Sequence, residues 1–170
     1  MDTAIPDSAA GTYSFADLIA PQDMSAFFET IHRKRPLHIP GSPGKFDFSM
    51  SWDLLNEILD QSAIWTPHTL QLVLDRVTLR PDQYARDGIG RDGRPTLLVD
   101  FEKMRSFERQ GATVLLADCG TLTAGIKSIC EAMGRETGAK VQASLYCSWF
   151  AHQAFDIHYD VADIFVTQIY

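Results

Sequence analysis

Cysteine is scarce in this chain: Cys119, Cys130 and Cys147 are odd in number, widely spaced and without a C-x-x-C pair. That pattern argues against a disulfide scaffold and against a cysteine zinc site, and it fits buried thiols in a reduced, cytoplasmic protein. No apolar run approaches the roughly 18 residues of a membrane-spanning helix. The start, Met1-Asp-Thr-Ala-Ile-Pro-Asp-Ser8, lacks the basic residues and apolar stretch of a secretory signal. Positive charge is also short. A formal net charge of −7 argues against a general affinity for nucleic acid or an anionic membrane. No Walker sequence or nucleophile elbow occurs. Gly88-Ile-Gly90 does not sit between a strand and a helix as a dinucleotide fingerprint requires. There is no internal repeat and no low-complexity tract.

What is present is ordinary globular material. Hydrophobic residues at 45% and charged residues at 22% in 170 residues are enough for one domain with a real core. Residues 1–13 read as a loose, polar leader. From Pro21 the spacing of Met24, Phe27, Phe28 and Ile31 predicts a helix, with the 32–35 basic run at its C-terminus and Pro36 as its stop. Leu37 to Ile39 is a short expected strand before the Pro40–Gly44 turn cluster. A second helix starts near Ser51, with Trp52, Leu55, Ile58 and Leu59 on one face. Leu70 to Leu74 is strand-like, and the polar stretch from Arg80 to Pro95 reads as an exposed loop or hairpin, open to a substrate-facing role. A helix over 101–109, a buried strand over 112–117 and a long helix over 122–137 ended by Gly138 follow. Strands are expected at 141–149, 154–160 and 164–169. The fold class is therefore α+β, with 14–140 as an N-terminal α/β part and 141–170 carrying consecutive strands.

Chemistry concentrates in the last quarter. On a strand, residues two apart share a face. Phe155, Ile157, Tyr159 and Val161 would then pack inward, while Asp156, His158 and Asp160 line the other face. An imidazole and a carboxylate side by side can hold two positions of a metal such as Fe(II), a third ligand completing a facial triad with open sites. Taken bare, His-x-Asp is a weak pattern, since a solvated polar face produces it equally well. His152 could serve as a substitute third ligand, but it precedes the strand and reads as a loop histidine. Asp156 shares the face of His158 and reads as a solvated carboxylate, with holding a ligand imidazole or contacting substrate as the alternative. His32, His38 and His68 lack ligand spacing to one another.

The order of segments is more specific. Phe27-Phe28-Glu29 followed by Lys34-Arg35-Pro36-Leu37-His38-Ile39 resembles the opening of the JmjC-type cupin oxygenases related to the ribosomal oxygenases. Gly111-Ala-Thr-Val-Leu-Leu116 is similar to their GAT strand, and the 122–137 helix takes the place of the helix that follows it. Gln153-Ala-Phe155 leading to His158 and Asp160, with Asp163, Phe165 and Gln168 behind, resembles their metal-binding signature. The resemblance runs from about residue 20 to the end of the chain. It implies a double-stranded β-helix (jelly-roll) core, Fe(II) with 2-oxoglutarate as cosubstrate, and hydroxylation of a protein side chain, often ribosomal. By position, His158 and Asp160 would be the first two iron ligands and Tyr146 would line the cosubstrate pocket. Ser144 stands where an Asn is common.

The family's cosubstrate lysine segment and distal histidine would follow Tyr170, so an N-terminal portion of a longer, truncated jelly-roll is expected, with an association-prone end and homo-oligomerisation open. Two rivals stand beside this reading: a non-enzymatic cupin-like interaction module with an incomplete metal site, and a cupin using another metal for different chemistry.

Overall fold

The computed structural model describes residues 13–61, 64–148 and 153–169. In chain order the elements are helices α1 (Phe15–Ile19), α2 (Met24–Thr30) and α3 (Trp52–Leu59), then strands β1 (Leu70–Leu74) and β2 (Val77–Thr78). Helix α4 (Pro81–Tyr84) leads into strands β3 (Ala85–Ile89) and β4 (Pro95–Val99), helix α5 (Phe101–Arg109) and strand β5 (Thr113–Leu116). A 3-10 turn at Cys119–Thr121, helix α6 (Ala124–Thr137) and strand β6 (Leu145–Cys147) complete the series. The protein is mixed α+β with antiparallel strands, and the described residues form no barrel.

The chain forms two compact units. The first comprises Met1–Ser51, Gly120–Gln142 and Ala162–Tyr170. Its core is Phe15, Ile19, Phe27 and Ile31, buried together, with Leu18, Met24, Phe28 and Met133 against them. Helix α1 lies just past the expected leader, in a stretch for which no element was expected. Its signal is a capping box: Ser14 Oγ accepts from the Asp17 amide, and the Asp17 carboxylate accepts from the Ser14 amide at 2.9 Å. Tyr13, assigned to the loose leader, is tied down instead. Its amide donates to Ser128 Oγ, its hydroxyl donates to the Lys45 carbonyl, and its ring stacks on Phe48 at 4.3 Å. The rest of the leader lies outside the described residues.

Leu37 and Ile39 form no strand, although both pack on the core as extended chain. The basic run 32–35 lies in turns beyond α2 rather than in its last turn. Helix α6 is capped by Thr123, whose side chain accepts from the Ile126 amide and donates to the Ser49 carbonyl at 2.7 Å. Gly125 in its first turn lets the chain at 48–49 approach closely: a Cβ there would lie 2.2 Å from the Phe48 carbonyl oxygen. Gly138 ends the helix in the left-handed conformation that suits glycine, φ +67°.

The second unit, Trp52–Cys119 and Ala143–Val161, holds the sheets. Four antiparallel strands run in the order β2-β1-β5-β6, with Leu72 opposite Val114 and Leu116 opposite Leu145. Leu70, Leu72, Val114 and Leu116 are completely buried. A second hairpin, β3–β4, occupies the polar segment expected as an exposed loop or hairpin, in register from Ala85↔Val99 to Ile89↔Pro95. It is pinned by the Val99 amide to the Trp65 carbonyl and the Asp100 amide to the Tyr84 carbonyl, both 2.9 Å. Buried polar atoms are satisfied as burial demands: Trp65 Nε1 donates to the Ile58 carbonyl and Tyr84 Oη to the Leu70 carbonyl.

The C-terminal expectation needs correction. Of the strand at 141–149, residues 145–147 pair with β5, and residues 153–169 have no regular secondary structure. Ile157, Tyr159 and Val161, expected to face a core, are 101%, 90% and 102% exposed. The alternation of apolar and polar residues is real, but a strand needs a partner for its backbone and a surface for its apolar face. The described residues supply neither here.

Candidate metal centre

Tyr146 lies on β6, where strand alternation turns it outward and its neighbour Cys147 inward. Burial pushes the Cys147 thiol up to about 12, with Cys119 and Glu108 nearby adding to the rise. A thiol of that kind is a poor ligand and a poor nucleophile. The outward Tyr146 is 60% exposed, and its ring meets Phe155 edge-on, centroids 6.0 Å apart. Phe155 meets the His158 imidazole on a second edge, 5.9 Å away. Two of the three residues singled out in the sequence thus stand against one phenylalanine. Asp160 follows on the same exposed segment.

The His158 ring is fixed by its own backbone neighbourhood. Nδ1 lies 2.8 Å from the Asp156 carbonyl oxygen. A carbonyl can only accept, so Nδ1 carries a proton, and in the neutral ring Nε2 keeps its lone pair. Metal-bound histidines typically donate their second ring nitrogen to a carbonyl or carboxylate in this way. The donor chemistry at His158 and Asp160, one imidazole nitrogen and one carboxylate on an exposed segment, suits Fe(II) or a similar divalent ion. No group of three potential ligands occurs among the described residues. His152, weighed as a substitute ligand, lies outside them.

Arg76, which carried no sign in the sequence, supports this region. Arg76 forms an ion pair from one terminal nitrogen to Asp156 Oδ1 at 3.1 Å and donates from the other to Gln153 Oε1 at 2.9 Å. Gln153 in turn donates to the Phe155 carbonyl. Asp156, read as a solvated carboxylate or a holder of the imidazole, is bound to Arg76 through its side chain and to His158 through its carbonyl. In the first unit Arg33 Nε donates to Asp163 Oδ2 at 2.8 Å, and His32 Nε2 lies 3.7 Å from the same oxygen. The hydrogen bond from Arg33 holds the Asp163 carboxyl below its usual range, with the charges of Arg33 and His32 acting in the same direction. Both arginines stand in turns with left-handed backbones, at φ 57° for Arg33 and 67° for Arg76.

A separate groove of about 500 Å³ is lined by Thr66, His68, Gln71, Tyr84 and Leu97, among others, and by none of Tyr146, His158 and Asp160. It borders the polar hairpin to which a substrate-facing role was left open. No helix among the described residues is long and apolar enough to cross a membrane. No protein-family model matches the chain, and no curated protein matches it.

Proposed function

We propose that this chain carries part of the metal site of an Fe(II)/2-oxoglutarate-dependent oxygenase of the JmjC type, acting on a protein side chain, with ribosomal proteins as the substrate class. The jelly-roll core belongs to this proposal. The observation that carries it is the hydrogen bond from His158 Nδ1 to the Asp156 carbonyl, which leaves Nε2 free on a ring set across Phe155 from Tyr146. His158 Nε2 and the Asp160 carboxylate hold the metal, and Tyr146 lines the cosubstrate pocket. Phe155 meets the exposed imidazole edge-on. Fe(II) held with open positions supplies, when bound, the oxidation chemistry with O2 and a 2-oxoacid. Fixing the imidazole tautomer beforehand removes one ordering step from metal binding.

A second reading, a non-enzymatic cupin-like interaction module with an incomplete site, is favoured by one observation: the described residues bring no third ligand to His158 and Asp160. Mn(II), an air-stable stand-in for Fe(II), tests the metal assignment. Its paramagnetic broadening of nuclear signals is expected at His158 and Asp160 and is expected to vanish in the His158→Ala/Asp160→Ala double variant. Broadening that survives in the double variant overturns the assignment. Succinate formation from 2-oxoglutarate with Fe(II), lost in the same variant, distinguishes the enzyme from the module.

A further inference from the structure

The hairpin β1–β2 turns through two residues, Asp75 and Arg76, between the paired Leu74 and Val77. Both have left-handed backbones, φ 48° and 67°. Two-residue hairpin loops of this kind favour glycine at the second position, since a side chain there is strained. An arginine held in such a place is a reason to ask what its side chain does. Here the guanidinium reaches two side chains of one short stretch of chain, by an ion pair to Asp156 Oδ1 and a hydrogen bond to Gln153 Oε1. Gln153 closes that stretch by donating to the Phe155 carbonyl at 2.9 Å. The next carbonyl along, that of Asp156, is the acceptor for His158 Nδ1. A continuous series of hydrogen bonds and one residue of backbone therefore joins Arg76 to the imidazole.

We infer that Arg76 is a positioning residue for His158: by gripping Gln153 and Asp156 together it aims the Asp156 carbonyl at Nδ1 and so keeps Nε2 as the free, metal-binding nitrogen. The inference rests on the metal reading of His158 for its consequence, but the positioning itself is measurable without metal. An exposed ion pair alone contributes little to stability. The arrangement works through geometry, because a planar guanidinium fixes two acceptors at a set separation, as a single ammonium cannot.

The test uses the full chain labelled with 15N at histidine, observed on the neutral imidazole. The wild-type His158 signals are expected to show one tautomer, with protonated Nδ1 and unprotonated Nε2. Arg76→Gly suits the left-handed turn and removes the grip, so the hairpin is expected to be as stable as before or more so. Its His158 signals are nonetheless expected to move toward the average of the two tautomers. Mn(II) binding, read from broadening of those signals, is expected to weaken by about ten-fold, the low end for loss of a supporting contact at a metal ligand. Arg76→Lys, with one acceptor at a time, is expected to fall between wild type and Arg76→Gly. Gln153→Ala and Asp156→Ala, which leave the hairpin untouched, are expected to move the tautomer in the same direction. An Arg76→Gly protein with unchanged His158 signals overturns the inference. If the tautomer moves as expected while wild type and His158→Ala bind Mn(II) alike, Arg76 positions the ring and the metal assignment fails.

Discussion

Arg33 and Asp163, 130 positions apart in the sequence, are joined by a 2.8 Å hydrogen bond from Nε to Oδ2. Two residues beyond Asp163, Phe165 meets the rings of Phe15 and Phe27 at 6.2 and 6.3 Å. The ion pair and the aromatic contact together fasten residues 163–165 to the first unit's core. Because the Asp163 carboxyl is held below its usual range by Arg33, it is depressed in the folded state. Its contribution to stability is then fully present above the ordinary aspartate range near pH 4 and is lost as pH falls through the lowered folded value. Asp163→Asn is expected to flatten the acid side of a stability-against-pH curve below about pH 4. Thermal melts across that range check it, and an unchanged acid slope would remove Asp163 from the account.

Gly125→Ala opposes two known effects of different size. Alanine gains about 1 kcal/mol of helix propensity over glycine. Its methyl group, however, would sit 2.2 Å from the Phe48 carbonyl oxygen and 2.7 Å from Ser49 Cα. Forcing the 48–49 backbone away also loosens the Thr123 hydroxyl bond to Ser49. Overpacking of this kind costs roughly 1–3 kcal/mol, so a net loss of up to about 2 kcal/mol is expected. Urea unfolding measures it, and a stabilised variant would show that the segment is free to shift.

The thiols should be quiet. With the Cys147 thiol pushed up to about 12 by burial, almost no thiolate exists at pH 8, and burial raises Cys130 as well. Reaction of Cys147 with a disulfide reagent is expected to follow unfolding, and to become immediate in denaturant. Fast labelling of Cys147 in the native protein would contradict its inward placement.

Substitutions in the exposed segment should separate function from folding. His158→Ala, Asp160→Ala, Ile157→Ala and Tyr159→Ala are each expected to change stability by no more than about 0.5 kcal/mol, since solvent already surrounds these side chains. Leu72→Ala, at a completely buried position, is expected to cost about 2–5 kcal/mol. Denaturant titrations rank all five. A loss of 2 kcal/mol or more at Ile157 or Tyr159 would place those residues against a packed surface.

Periodicity made the helices legible: Met24, Phe27 and Ile31, then Leu55, Ile58 and Leu59, put their apolar residues at the spacing that the folded chain uses. The caps Ser14 and Thr123 were not read, and only a reading that weighs Ser14 together with Asp17 would find α1. The buried strands β1 and β5 were legible as short, nearly continuous apolar runs. Strand β3 was not, because Arg86, Asp87 and Gly88 carry no apolar face and owe their conformation to pairing with β4. At 154–160 the error ran the other way: alternation at Ile157, Tyr159 and Val161 describes what a strand would look like, and pairing has to come from elsewhere in the molecule. The roles of Arg33 and Arg76 were hidden for a related reason. Their acceptors lie at sequence separations of 130 and about 80 residues, beyond the reach of any local pattern.

The alternation of the two compact units along the chain has a consequence for dissection. The boundaries fall at Ser51, Cys119, Gln142 and Val161, so the polypeptide passes from one unit to the other four times. No single cut releases either unit whole: a fragment ending at residue 119 loses β6, and one beginning at residue 52 loses α1 and α2. Dividing this protein into separately expressed halves therefore calls for rejoining the chain in a new order, with each unit's segments spliced through designed linkers.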